Sequence, residues 1–236
     1  APAECVAATE TAIARISEMV GVEASASKPK RAVVHCAAQV GERLNRAPYS
    51  GPQTCTEANL VAGLQGCTYG CLGFGDCEAA CPFDAIHVRD GLAVVDYQAC
   101  TGCAKCVAAC PRSIISIEEM LDDPLVVVAC SSRDPGRYVR ANCKVGCIAC
   151  GMCARLDGEL FQMENDLSVA QYDGQTYGTS EDHEKAVAKC PTACLLRVGT
   201  GIVDPHELIE RRVREKAEKA AAKAAAQAAK TAPESA

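Results

Sequence analysis

Residues 100–111, which read "CTGCAKCVAACP", decide the fold. A proline follows the last of four closely spaced cysteines, which are Cys100, Cys103, Cys106 and Cys110. The first three can wrap their thiolates around one face of an iron–sulfur cubane, and the fourth, before Pro111, points at a second cubane. A structural zinc site more often uses two separated Cys-x2-Cys pairs. The stretch therefore predicts one half of a site for two iron–sulfur clusters.

The other half lies upstream in residues 67–86, "CTYGCLGFGDCEAACPFDAI". The span from Cys71 to Cys77 is normal for such a loop, but Phe74 occupies its middle position, and Cys67 is the obvious replacement ligand. In two-cluster ferredoxins the cysteine before proline serves the other cluster. We therefore predict a first cluster with the ligands Cys67, Cys71, Cys77 and Cys110. We predict a second cluster with the ligands Cys81, Cys100, Cys103 and Cys106.

The pattern recurs about 76 residues later, as in an internal repeat. "CTYGC" at 67–71 matches "CKVGC" at 143–147, and "VVHC" at 33–36 matches "VVAC" at 127–130. Between the first two cysteine loops, the Asp90-Gly91 pair separates two β-branched runs, which predicts a small hairpin. Residues 159–171, "ELFQMENDLSVAQ", repeat it. The chain thus carries two related modules.

The second module retains the ligands of only one cluster. Its Cys-x2-Cys-x2-Cys run is complete, and Cys190-Pro191 supplies a distant partner. The four positions of the other cluster, 157, 180, 183 and 186, have all lost cysteine together. We therefore predict a third cluster with the ligands Cys147, Cys150, Cys153 and Cys190. The alternative is an open three-cysteine cluster with Cys190 as a bystander. His183 could in principle ligate, but we expect it to face solvent.

Spacing alone does not assign the remaining cysteines to a cluster. They are Cys5, Cys36, Cys55, Cys130, Cys143 and Cys194. Cys143 corresponds to Cys67, but its own module already has a complete run, so we expect a spare thiol near the ligands. Cys36 and Cys130 end apolar strands, and burial is the usual fate of a free cysteine there.

Composition excludes several classes of function. Eighteen cysteines in tight runs favour metal binding over a disulfide scaffold and predict a reducing compartment. The net charge of −6 disfavours nucleic acid as a partner. No apolar run approaches the ~20 residues that span a bilayer. No glycine fingerprint for a dinucleotide and no nucleophile–base arrangement is present.

These observations predict an α+β fold of tandem bacterial-type ferredoxin-like modules, one with two clusters and one degenerate with a single cluster. The expected boundaries are an N-terminal lead-in segment with an amphipathic helix at 1–62, the two-cluster module at 63–118, the single-cluster module at 119–200, and a C-terminal helix with a disordered tail at 201–236. The C-terminal helix begins at an Asp204 cap with Pro205 at its first position. It is either solvated or docked on a partner or membrane surface.

The segments 66–86, 100–111 and 130–153 together resemble the B subunit of the Rnf complex, a membrane-bound, ion-translocating ferredoxin:NAD+ oxidoreductase. The resemblance runs from about residue 1 to 200 and includes Phe74. It implies an electron-transfer subunit at the cytoplasmic face of the cell membrane. Electrons would come from reduced soluble ferredoxin and pass to the membrane and NADH-binding subunits.

Family members also carry an N-terminal membrane helix and a small iron–sulfur domain with four cysteines. Cys5 falls where the last of these belongs, so it is a ligand of a fourth cluster if upstream residues exist and a spare thiol otherwise. Three [4Fe-4S] clusters are expected in this chain. The alternatives are a soluble polyferredoxin serving another reductase or hydrogenase, and a zinc-based structural module.

Overall fold

We describe the fold from a computed structural model, over residues 10–21, 29–120, 124–172 and 181–200, together with Arg214 and Glu218. The chain divides into two units, Ala1–Ile202 and Val203–Ala236. Arg214 and Glu218 in the second unit are helical and exposed. The rest of the expected C-terminal helix, like Cys5, lies outside the described residues. None of the helices described has the length and apolar character to cross a bilayer.

The described elements are short, and cysteine loops separate many of them. The helices are α1 (Glu10–Val20), α2 (Cys55–Ala58), α3 (Asp76–Ala79), α4 (Lys105–Ala109), α5 (Gly136–Asn142), α6 (Met152–Leu156) and α7 (Glu181–Lys189), with a 3-10 turn at Val40–Glu42. The strands are β1 (Lys30–Val34), β2 (Ile86–Arg89), β3 (Leu92–Val95), β4 (Ile115–Glu119), β5 (Leu125–Val128), β6 (Phe161–Glu164), β7 (Leu167–Ala170) and β8 (Leu195–Val198).

The strands form two copies of one arrangement. In the first repeat, residues 30–119, β1 pairs antiparallel with β4 and β2 with β3. In the second repeat, residues 125–198, β5 pairs with β8 and β6 with β7 in the same way. The predicted α+β class with tandem modules is therefore confirmed. Strand β1 falls in the expected lead-in segment, but it pairs with β4, the last strand of the two-cluster module. The backbone hydrogen bonds of β4 are satisfied by this pairing.

Both expected hairpins form. Asp90 and Gly91 join β2 to β3 with φ angles of 45° and 71°, and Asn165 and Asp166 join β6 to β7 with φ angles of 46° and 61°. Two consecutive positive φ angles are the signature of the tight turn that matches the twist of the flanking strands. Asn, Asp and Gly tolerate that conformation best, so the turn residues fix the register of each hairpin.

The core of each repeat lies against its cysteine loops. In the second repeat, Phe161 and Leu195 are fully buried and pack in one apolar cluster with Cys147 and Cys190. The chain has no Trp and few aromatics, so aliphatic strands and thiols fill the interior. Formation of the strand pairs therefore also positions the sulfur atoms.

Backbone hydrogen bonds join the two repeats. The Leu44 amide donates to the Asn142 carbonyl at 3.0 Å, and the Lys144 amide donates to the Glu42 carbonyl at 3.0 Å. The 3-10 turn of the first repeat thus runs beside the residues around Cys143 of the second. This contact fixes how cysteines of different repeats face one another.

Candidate iron–sulfur centres

Three cysteine loops share one backbone path. Each has positive φ two residues after its first cysteine, at Gly73, Gly102 and Ala149. Each has positive φ again two residues later, directly before a short helix, at Gly75, Ala104 and Gly151. Alternation into the left-handed region turns successive N–H groups toward one side of a loop, which suits an anionic sulfur centre. The loops that start at Cys71, Cys100 and Cys147 are therefore equivalent cradles.

The Cys-Pro turns also share a conformation. The third residue after each of these cysteines has positive φ, at Asp84, Ser113 and Ala193. The structure thus gives Cys190, whose upstream flank has no cysteine, the same local turn as Cys81 and Cys110. Its turn is the one expected for a ligand of a cluster in another loop.

The first cavity, of about 330 Å³, brings together three of the predicted ligands, Cys71, Cys77 and Cys110. The fourth cysteine on its wall is Cys55. The expected ligand Cys67 lines a different cavity. The reason is that Cys67 precedes its loop on the side that faces the second repeat.

Asp76 positions Cys55. Its carboxylate accepts hydrogen bonds from the backbone N–H groups of Cys55, at 2.6 Å, and Thr56, at 3.0 Å, and from the Thr56 hydroxyl at 2.7 Å. Burial alone would raise the pKa of Asp76, but these hydrogen bonds outweigh it and hold the pKa below its usual value. Phe74 packs on Tyr49 at a centroid distance of 5.3 Å. The side chain at the lost ligand position therefore supports the segment that brings in Cys55.

The second cavity, also about 330 Å³, contains every ligand predicted for it: Cys81, Cys100, Cys103 and Cys106. The backbone N–H of Ala85 donates to the Cys81 sulfur at 3.4 Å, and that of Ala32 donates to the Cys100 sulfur at 3.4 Å. N–H groups directed at sulfur help to set the potential of a bound cluster. Ala32 lies in β1, so the lead-in strand contributes directly to this centre.

The third cavity, about 330 Å³, holds the predicted set Cys147, Cys150, Cys153 and Cys190. Cys190 lies on the wall of this cavity with the other three cysteines. Cys194 also lines this cavity, and its sulfur lies 3.7 Å from that of Cys190. Hydrogen bonding to Cys194 lowers the pKa of Cys190 to about 5 and that of Cys147 to about 6. Two sulfurs of this centre are thus disposed to be thiolates.

The positions of the lost fourth centre are filled by a buried polar pair. His183 Nε2 lies 2.8 Å from Asp157 Oδ2, and both side chains are buried. The expectation that His183 faces solvent is wrong, because α7 turns this residue inward beside buried Ala186 and Val187. Where the first repeat has a cysteine loop before its five-residue α4, α7 runs for nine residues. In the second repeat, α7 and the contact between His183 and Asp157 therefore lie where the first repeat has its second cysteine loop.

In two of these cavities, a buried side-chain donor has no acceptor among the described residues, which suits a bound group that accepts hydrogen bonds. Arg112 Nε and Thr101 Oγ1 are buried and have no hydrogen-bond partner among the described residues, and their residues line the first and second cavities respectively. Sulfur ligands and sulfide accept such hydrogen bonds. Burial raises the pKa of Cys71 to about 11 and that of Cys77 to about 12. Binding of iron there must therefore release protons.

A fourth cavity was missed by reasoning from the sequence. It encloses about 600 Å³ between the repeats, and its wall contains Cys36, Cys67, Cys130 and Cys143. The signal was present in the matched lead-ins "VVHC" and "VVAC" and in the match of Cys67 to Cys143. These cysteines belong to four separate segments, so no local spacing connects them.

Two iron–sulfur domain families match the chain. The family described as "4Fe-4S dicluster domain" matches residues 60–111. The family described as "4Fe-4S single cluster domain of Ferredoxin I" matches residues 144–196. The first match contains Cys71, Cys77 and Cys110 of the first cavity, but not Cys55, and all four cysteines of the second, and the second match contains the cysteines of the third. The chain thus contains two ferredoxin-type domains, in agreement with the fold.

Three curated relatives carry related names. The chain is 38% identical over 189 residues to the B subunit of the Na+-translocating ferredoxin:NAD+ oxidoreductase complex of Acetobacterium woodii, a match that covers 77% of this chain and 54% of the relative. It is 34% identical over 203 residues to the proton-translocating counterpart of Clostridium ljungdahlii, covering 85% of this chain and 70% of the relative. It is 37% identical over 143 residues to the B subunit of the ion-translocating oxidoreductase complex of Methanosarcina acetivorans, covering 60% and 53%.

The chain spans about half the length of the first and third of these relatives and more than two thirds of the second. The family matches include the three cysteine loops that begin at Cys71, Cys100 and Cys147. The identity, the extent of the match and the paired iron–sulfur domains lead to one conclusion: the chain belongs to the B subunits of ion-translocating ferredoxin:NAD+ oxidoreductase complexes, the Rnf complexes.

Proposed function

We propose that the chain is an electron-transfer subunit that relays electrons from reduced ferredoxin into a membrane-bound, ion-translocating ferredoxin:NAD+ oxidoreductase. The observation that carries this proposal is the presence of three equivalent cradles, each with at least four cysteines around a cavity of about 330 Å³. A bound cubane exchanges one electron at a potential set by its surroundings, within about −700 to +450 mV. The chain's own residues hold, orient and electrically tune such groups.

The proposed ligands follow the cavities. The first centre uses Cys55, Cys71, Cys77 and Cys110. The second uses Cys81, Cys100, Cys103 and Cys106. The third uses Cys147, Cys150, Cys153 and Cys190. Each Cys-Pro cysteine of the first repeat serves the other loop, which ties the first and second centres together.

The partners and location rest on the relatives' names and on the resemblance. We assign soluble ferredoxin as the donor and the membrane and NADH-binding subunits of the complex as acceptors. The chain then works at the cytoplasmic face of the membrane and meets it through these subunits or through an N-terminal anchor. NAD reduction and ion movement belong to the other subunits.

Anaerobic purification of the full chain tests this function. The expected product contains iron and acid-labile sulfide in equal amounts, and reduced ferredoxin reduces it in a stopped-flow experiment. Oxidised ferredoxin is the matched control. Zinc without acid-labile sulfide would refute the redox role. Co-purification with integral membrane subunits supports the Rnf assignment, whereas isolation with a soluble reductase or hydrogenase would contradict it.

A further inference from the structure

Each repeat contributes two cysteines to the cavity of about 600 Å³ between the repeats. Cys36 follows β1 and Cys130 follows β5, at matching places after paired strands. Cys67 and Cys143 each lie four residues before the first cysteine of a cradle. The four thiols therefore converge as two equivalent pairs. Among the described residues, no other cysteine lies on the wall of this cavity.

The sulfurs of Cys67 and Cys143 accept hydrogen bonds from equivalent backbone N–H groups. The N–H groups two and three residues onward, at Tyr69 and Gly70, are directed at the Cys67 sulfur. The corresponding N–H groups of Val145 and Gly146 are directed at the Cys143 sulfur. The two sulfurs therefore have equivalent backbone surroundings in the two repeats.

One guanidinium nitrogen of the half-buried Arg43, on the wall of this cavity, lacks a hydrogen-bond acceptor among the described residues. Arg43 Nη2 donates to the carbonyls of Ala38, at 2.8 Å, and Gly91, at 2.7 Å, while Nη1 is buried and finds no hydrogen-bond partner in the described part of the chain. Leaving a charged donor unpaired inside a protein is costly. A group with anionic sulfur ligands in this cavity would supply the missing acceptor. Arg112 Nε has the same relation to the first cavity.

Four cysteines on the wall of one cavity supply the four thiolates that hold a cubane. A cubane binds each thiolate through a different iron atom and so holds the sulfurs farther apart than a zinc ion does.

We propose a further iron–sulfur site between the two repeats, with the ligands Cys36, Cys67, Cys130 and Cys143. It deepens the electron-transfer function proposed above and rests on it. The Cys67-x3-Cys71 segment connects this site to the first centre, and the Cys143-x3-Cys147 segment connects it to the third. The site therefore lies at the junction through which electrons pass from one repeat to the other.

Iron and acid-labile sulfide analysis of the anaerobically prepared full chain tests the proposal. Four cubanes give about 16 iron atoms per chain, and three give about 12. The variants Cys143→Ala and Cys36→Ala are each expected to lower the content from about 16 to about 12. The EPR signals that remain should match those of the other three centres in the unmodified chain.

Cys103→Ala, in the second centre, is the matched control. It should also lower the iron content by about four but remove a different EPR signal, and its combination with Cys143→Ala should leave about eight. If the unmodified chain holds about 12 iron atoms and Cys143→Ala still holds about 12, the site does not exist. One zinc ion lost in Cys143→Ala would refute the cluster.

The count on the unmodified chain decides the matter even if the variants fail to fold: about 16 supports the site and about 12 overturns it. A chain without iron or sulfide would instead overturn the electron-transfer function as a whole. The two failures are thus distinguishable.

Discussion

At the scale of single residues, the first centre shows how a ligand can be exchanged without losing the fold. Phe74 occupies the position at which the equivalent loops have Cys103 and Cys150. Its ring packs on Tyr49, and the guanidinium of Arg46 lies 5.4 Å from its centroid. The aromatic group thus stabilises the segment that brings Cys55 to the vacated corner.

Cys55→Ala should remove only the first cluster. The iron content is expected to fall by about four atoms per chain, because a cubane held by three thiolates in a half-open site is labile. The matched variant is Cys67→Ala, which should keep the EPR signal of the first centre. If Cys67→Ala removes that signal and Cys55→Ala does not, Cys67 is the ligand.

Arg112→Gln should lower the reduction potential of the first centre by some tens of millivolts, because it removes a positive charge that favours the reduced cluster. The residue lines the first cavity, and burial holds the pKa of its guanidinium below the usual value, while the nearby Cys67, followed by Cys110, Cys55 and Cys71, opposes that shift. A redox titration followed by EPR measures the effect. Arg112→Lys keeps the charge and should retain most of the potential, and equal shifts in both variants would contradict an electrostatic origin.

At the scale of elements, α7 shows what replaces a lost cluster. In the first repeat a cysteine loop precedes the five-residue α4, whereas in the second repeat α7 is a regular helix that contains positions 183 and 186. Asp157 also caps the segment before β6, since its Oδ1 accepts a hydrogen bond from the Leu160 amide at 3.1 Å. The buried contact between His183 and Asp157 thus lies where the first repeat has cysteines.

Asp157→Ala should destabilise the second repeat by about 1–3 kcal/mol, because it removes the carboxylate that lies beside Nε2 of buried His183. Denaturant unfolding followed through the absorbance of the third cluster measures the loss. Lys185→Ala is the control, since Lys185 forms an exposed pair with Asp182 at 3.0 Å on the same helix. Such surface pairs contribute little to stability, so no measurable change is expected. Equal losses in both variants would refute a structural role for the buried pair.

At the scale of the whole molecule, neighbouring cysteines join the proposed sites in a line. Cys77 and Cys81 lie four residues apart in the first and second proposed centres, and Cys67 and Cys143 each lie four residues before a cradle. The two repeats are also joined by backbone hydrogen bonds beside the cavity between them. The proposed electron path therefore runs from the second centre through the first and the inter-repeat site to the third.

Cys36→Ala should therefore uncouple the two repeats electronically. After partial reduction by ferredoxin, freeze-quench EPR of the unmodified chain is expected to show electrons distributed over both repeats. In the variant, one repeat should be reduced and the other should remain oxidised at the same time point. Fast reduction of both repeats in the variant would show that the junction is not on the path.

Local cysteine spacing predicted the loops and Cys-Pro turns. It did not predict the sites to which distant segments contribute. The four cysteines predicted for the second centre line one cavity, because their loop and Cys-Pro turn lie in recognisable runs. Cys55 was missed because it comes from a separate segment, sixteen residues before Cys71. The burial of His183 was missed because a helix replaced a loop, which the absence of cysteine alone does not reveal.

The equal division of the cavity between the repeats has a consequence for the origin of the chain. A pocket to which each half brings the same two thiols is also the pocket that two separate copies of one half would make by associating about a twofold axis. Gene duplication and fusion would then have turned a dimer interface into the interior of one chain. The halves were afterwards free to diverge, one keeping two centres and the other exchanging a centre for a helix.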